Sequence, residues 1–195
     1  MKIAVDVDGV IFDLIGVFLN VFNRTYNSVY KKSDITQWEF YRDWGISESQ
    51  VYKIFYQIYN NKFSIPLINE KIPDYLRIIN KNHHVDILSA RNHNFKSQLI
   101  QTLQKYNIIK GQSYEHIVLV NEKPYDLKLK FEYNLYIDDN PNLVGPIKKK
   151  KYTTLFLFDQ HWNKDSICNK NIIRINHWRE ILAEMKKLMN KGIKI

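Results

Sequence analysis

Residues 2–9, Lys2-Ile3-Ala4-Val5-Asp6-Val7-Asp8-Gly9, decide how this chain reads. A short apolar run bounded by a glycine predicts a buried strand. Two carboxylates close it, two positions apart. Successive strand side chains point to opposite faces, so Asp6 and Asp8 project toward one site while Val5 and Val7 face elsewhere. Close carboxylates repel, and a hard divalent cation with oxygen ligands relieves the repulsion. Mg²⁺ is the ion suited to phosphate chemistry. Gly9 lets the backbone turn close to a ligand. Two other readings stand beside this one. A calcium loop would need a third acidic or amide residue where Val10 stands, and a helix before it. A plain structural turn needs neither.

Further along, periodicity predicts alternating elements. Residues 14–30 are apolar at helical spacing, and Ser47-Glu48 open a second helical run over 51–60. Pro73 marks the first turn of a helix through Asn80. Strands follow at 84–89, 117–120, 134–138 and 153–158, with helices at 95–107 and 177–189. Strands alternating with helices predict an α/β fold, a Rossmann-like parallel sheet covered on both faces. The stretch between the first two strands carries helices alone and reads as an insertion. The predicted division is a core of residues 1–13 and 77–195 and a small helical cap of residues 14–76.

Ligands of open parallel sheets bind beyond the carboxyl ends of the strands. The second strand ends in Ser89-Ala90-Arg91: a hydroxyl able to donate to a phosphate oxygen, and a guanidinium able to hold an anion or to lie on the surface. The fourth ends in Asp138-Asp139, a doublet that is costly unless solvated or metal-bound. Lys128 and Lys123 precede it, and either would neutralise phosphate charge. Asp13 suits a helix cap.

The 195 residues suit one compact unit with an insertion. A single cysteine, Cys168, excludes an intrachain disulfide. No signal peptide or membrane span is read, so a cytoplasmic enzyme is expected. The net charge of +9 favours anionic partners. The run Lys148 to Lys151 reads as a solvated helix end. The six histidines show no zinc spacing and read as structural or surface residues.

In this order the motifs resemble the haloacid-dehalogenase-like hydrolase superfamily, whose Asp-x-Asp-Gly, strand-end Ser or Thr, Lys and acidic pair are matched by Asp6 to Gly9, Ser89, Lys128 and Asp138-Asp139. Lys123 is the competing match for the lysine. Within it the chain is most similar to the 5'(3')-deoxyribonucleotidase group: the insertion directly after the first motif, the segment Asp34 to Phe40, the stretch Leu135 to Pro141, and the tail with Trp162-Asn163 and Arg174 to Trp178.

The resemblance implies a Mg²⁺-dependent phosphatase in which Asp6 attacks phosphorus and forms an aspartyl-phosphate, with Asp8 as acid and base. It implies metal ligation by Asp6, Asp8 through its backbone oxygen, Asp138 and Asp139. Ser89, Ala90, Arg91, Gly9 and Lys128 would bind phosphate. Trp38, Phe40, Tyr41 and Trp44 form an aromatic cluster that either stacks on a nucleobase, with Trp38 and Phe40 foremost, or packs as the cap's own core. The expected substrate is a deoxynucleoside monophosphate. Nucleic-acid ends or another small phosphate ester are alternatives, as is a non-catalytic nucleotide-binding protein of this fold. No membrane partner is expected, and a dimer is compatible with this reading.

Overall fold

The computed structural model describes residues 1–190. Six parallel strands form one sheet: β1 (Lys2–Val5), β2 (His84–Ser89), β3 (His116–Leu119), β4 (Leu135–Asp138), β5 (Thr154–Phe158) and β6 (Ile172–Ile175). Their order across the sheet is β3-β2-β1-β4-β5-β6. The central strand is therefore the one that ends in Asp6, and its neighbours end in Ser89 and Asp138. Chain order reverses beside β1, which opens a crevice at the carboxyl rim.

Sequence periodicity predicts five of these strands. The sixth, β6, is short and carries Arg174 in its middle. The Arg174 guanidinium leaves the sheet to reach Asp159 at 2.7 Å and the Asn163 side chain at 2.9 Å. Tertiary partners thus make a strand of a sequence that does not alternate cleanly.

Six α-helices accompany the sheet: α1 (Leu14–Tyr26), α2 (Glu48–Gln57), α3 (Ile72–Asn82), α4 (Lys96–Lys105), α5 (Val144–Lys148) and α6 (Trp178–Asn190). Asp13 caps α1 by accepting from the Gly16 N–H at 3.0 Å. That helix stops at Asn27, whose φ of 49° ends the right-handed run four residues before the predicted boundary. Ser47 and Gln50 close a reciprocal capping box on α2. A widened turn over Ile58–Lys62 follows α2 and carries Tyr59 inward.

Alternate residues of β1 face two cores. Ile3 and Val5 join α1, α3, α4 and α6, while Ala4 joins Tyr136, Leu155 and the α5 residues Val144 and Ile147. Between β1 and β2 the chain has helices and turns and no strand of the sheet. The numbered boundary at 76–77 falls inside α3, a helix that packs on β2 and α6. No helix is long and apolar enough to cross a membrane among the described residues.

Candidate active site

β1 delivers Asp6 to the carboxyl rim, where the Asp6 N–H bonds to the Ile137 carbonyl of β4 at 2.9 Å. One Asp6 oxygen accepts from the Val7 N–H at 2.7 Å. The other meets Lys128 Nζ at 2.8 Å, and the same ammonium reaches Asp138 at 2.7 Å. All three groups are buried. Asp138 also accepts from the Asn140 N–H at 3.0 Å.

Asp139 completes the cluster. Its Oδ2 accepts from Trp162 Nε1 at 3.1 Å, and its buried Oδ1 has no partner among the described residues. Oxygens of Asp6, Asp138 and Asp139 lie within 4.8 Å of one another. Three buried carboxylates against one ammonium leave an excess of two negative charges. Burial, with Asp138 beside it, pushes the Asp6 carboxyl up to about 8, although Lys128 pulls the other way. Burial and the Asp6 charge likewise hold Asp139 well above the usual carboxylate range. Burial alone would lower the Lys128 ammonium, but Asp138 and Asp6 override it and raise it. A divalent cation fits this donor set: it supplies the missing two charges and the partner that Asp139 Oδ1 lacks.

Gly9 is required here. Its φ is +80°, and an added Cβ would lie 2.0 Å from Asp139 Oδ2. Its carbonyl accepts from Gln160 Nε2 at 2.7 Å. Asn163 anchors the Asp139 backbone, donating to its carbonyl at 2.8 Å.

Asp8 turns away from the three-carboxylate cluster. Both its oxygens are taken by Arg91, Nε to Oδ2 at 2.8 Å and Nη2 to Oδ1 at 2.6 Å. Arg91 is buried rather than on the surface, and it lines the rim cavity with its Nε and Nη2 engaged by Asp8. Tyr59 stacks under the guanidinium at 4.4 Å and reaches Asp8 Oδ2 at 3.4 Å. Burial and the Asp8 charge hold the Tyr59 hydroxyl well above the usual phenol range, so it stays a donor. Ser89 sits at the end of β2 with its hydroxyl accepting from the Arg91 N–H at 3.3 Å.

The competing lysine is elsewhere. Lys123 is half-exposed and pairs with Glu48 at 2.7 Å.

One cavity joins this rim to the helical segment. Asp6, Asp8, Ser89 and Lys128 line its floor, and Trp38, Phe40, Tyr41 and Phe55 line its roof. Trp44 faces elsewhere, stacked on Tyr30 with centroids 3.8 Å apart. Phe40 does both, lining the cavity while packing edge-on against Phe18 and Trp44. Sequence reasoning assigned no role to Tyr59, Tyr125, Glu122 or Trp162, which also line the cavity. Only Trp162 carried a signal, as part of the tail resemblance.

A parallel sheet with an acidic cluster, a buried lysine and a strand-end serine at its carboxyl rim defines a haloacid-dehalogenase-like hydrolase. Solved structures agree on the fold. A conserved haloacid-dehalogenase-like protein from Agrobacterium tumefaciens is 13% identical with a TM-score of 0.63, over 96% of this chain and 98% of its own. Protein tyrosine kinase A from Mycobacterium tuberculosis is 13% identical with a TM-score of 0.64, over 94% and 97%. The hydrolase YfnB from Bacillus subtilis, solved bound to magnesium, is 12% identical with a TM-score of 0.53, over 94% and 97%. A search of curated proteins gives no match. The sequence profile of the 5' nucleotidase, deoxy (pyrimidine), cytosolic type C protein family matches residues 1–190, and the chain belongs to that family. It is a phosphoric monoester hydrolase.

Proposed function

We propose that this chain is a Mg²⁺-dependent 5'(3')-deoxyribonucleotidase acting on nucleoside monophosphates. The observation that carries the metal half is the unpartnered, buried Asp139 Oδ1 within a three-carboxylate cluster. Asp6, Asp138 and Asp139 would hold the ion, with the Asp8 backbone oxygen as a further ligand. When bound, Mg²⁺ supplies the positive charge that offsets nucleophile and phosphate.

Asp6 is the nucleophile. It forms a bond to phosphorus while the ester oxygen leaves, giving an aspartyl-phosphate that water then cleaves. Lys128 stands between Asp6 and Asp138, placed to fix the nucleophile and to meet a phosphoryl oxygen. Ser89 and the backbone N–H of Ala90 supply further donors. Asp8 moves the proton, to the leaving oxygen and then from the attacking water. Its carboxylate is held by Arg91, so we assign Arg91 to positioning Asp8. Protonation of Asp8 requires that contact to loosen as the substrate enters. Residues 14–76 act as the cap, and its half-buried Trp38 and Tyr41 stack on the base.

The test is hydrolysis of para-nitrophenyl phosphate and a nucleotide panel with and without chelator. Deoxynucleoside monophosphates should be preferred to sugar phosphates, and chelator should stop turnover. Asp6→Asn should lose at least about a thousandfold in rate. Turnover near wild type in that variant would remove Asp6 from the mechanism.

A further inference from the structure

The opposite rim of the sheet holds a second group of metal-ligand side chains that phosphate chemistry does not use. His84 opens β2, Asp86 lies two residues on, and His116 opens β3. Residues two apart on a strand share a face. The parallel pairing sets Asp86 opposite His116. Register alone therefore brings the three side chains together, although they span 33 positions of sequence with no zinc-like spacing.

The contacts are close. His84 Nε2 is 3.0 Å from Asp86 Oδ1, and His116 Nδ1 is 3.1 Å from the same oxygen. The His116 backbone N–H also points to that oxygen, at 3.1 Å. Three nitrogens thus crowd one carboxylate oxygen that has two lone pairs, and two of them are imidazole nitrogens whose tautomer sets whether they donate or accept. The other oxygen, Oδ2, is occupied by the Tyr133 hydroxyl at 2.9 Å. That bond fixes the carboxylate and aims Oδ1 at the imidazoles, as the outer partners of metal ligands do. Asp86 is buried, while the two rings are partly open to solvent.

We propose that His84, Asp86 and His116 bind one Zn²⁺-class divalent transition-metal ion at the amino rim of the sheet. A tetrahedral ion with bonds of about 2.0–2.1 Å separates its ligand atoms by roughly 3.3 Å, near the spacing seen here. Neutral imidazole nitrogens would ligate the ion beside Oδ1, and the His116 backbone N–H keeps the second lone pair of that oxygen. Two imidazoles with one carboxylate favour zinc, nickel or copper over magnesium. The exposed sides of the rings leave a fourth position for water. The site is distinct from the phosphate site: Ser89 lies three residues beyond Asp86 along β2, about 10 Å at 3.3 Å per residue, and on the opposite face. Its structural effect is to tie the edge strand β3 to β2.

The test is calorimetric titration of Zn²⁺ into the untagged, metal-stripped full chain, with Mg²⁺ in excess to occupy the acidic cluster. One saturable Zn²⁺ equivalent is expected, with a raised melting temperature, since an ion that binds only the folded state stabilises it. His84→Ala and His116→Ala should each weaken binding by at least about a hundredfold, and Tyr133→Phe by about tenfold. Asp139→Asn should leave it intact. Both histidines are partly exposed, so their variants are expected to fold, and unchanged Mg²⁺-supported phosphatase activity verifies that they do. Saturable Zn²⁺ binding that survives His84→Ala/His116→Ala, or that disappears in Asp139→Asn instead, overturns the proposal. So does the absence of saturable binding in the wild-type chain.

Discussion

The carboxyl rim of the sheet and the helical segment that roofs it are built on opposite plans. At the rim, buried charges are held by named polar contacts, Lys128 between Asp6 and Asp138, Arg91 on Asp8 and Trp162 on one oxygen of Asp139. The roof is aromatic, and Trp38, Phe40, Tyr41 and Phe55 meet the cavity by shape and apolar area. A charge network in a dry site tolerates no missing member, because the abandoned group stays buried and uncompensated. Aromatic surfaces lose contact area gradually. The comparison teaches that the rim is held by charge pairing and the roof by aromatic packing, and the proposed function assigns chemistry to the first and substrate preference to the second.

Removing Lys128 strikes this contrast hardest. Lys128→Met should cost about 3–5 kcal/mol of stability, as breaking a buried ion pair does. It should also lower kcat by about a hundredfold or more, measured with para-nitrophenyl phosphate. The same substitution at Lys123, which is half-exposed and forms its ion pair with Glu48, should change kcat by less than about twofold and leave stability nearly unchanged. Equal losses at the two positions would erase the distinction between buried and exposed lysine.

A roof substitution should act more mildly and separably. Trp38→Ala should raise KM for a deoxynucleoside monophosphate about tenfold with kcat nearly unchanged. Trp44→Ala, whose ring stacks on Tyr30 away from the cavity, should cost about 2–3 kcal/mol of stability and leave KM alone. If the two variants shift KM together, the roof does not divide into a substrate face and a packing face.

Apart from the substitutions stands a pH dependence of stability without metal. The Asp6 carboxyl stands at about 8 in the folded chain, against 3.8 as its ordinary value. Between those values the folded state keeps a proton that the unfolded state releases. Stability of the chelated protein therefore falls as pH rises from about 4 to 8. Melting at pH 5 and pH 8 in chelator should show the drop, and excess Mg²⁺ should reverse it at pH 8. A flat profile in chelator would mean that the carboxylate cluster is already neutralised by other means.

Arg91 shows how local reading reaches its limit. A strand-end Ser-Ala-Arg signals a rim residue, and Arg91 is one. Its partner is 83 positions away in sequence, and only the pairing of β1 with β2 brings the guanidinium to Asp8. The histidines make the same point at the other rim. His84 and His116 look scattered along the chain, yet the two-residue period of β2 sets the first on Asp86 and the register of β2 against β3 sets the second.

The chain by itself determined the alternation of strands and helices, the strand-end position of Asp6, Ser89 and Asp138, and the helical nature of the insertion. Period and capping chemistry are local, so they can be read locally. Tertiary structure alone decided that β6 exists, that Lys128 rather than Lys123 enters the cluster, that Trp44 packs inward, and that Asp139 keeps an unpartnered oxygen. Each of these depends on which groups are desolvated together, and desolvation is a property of three-dimensional neighbours.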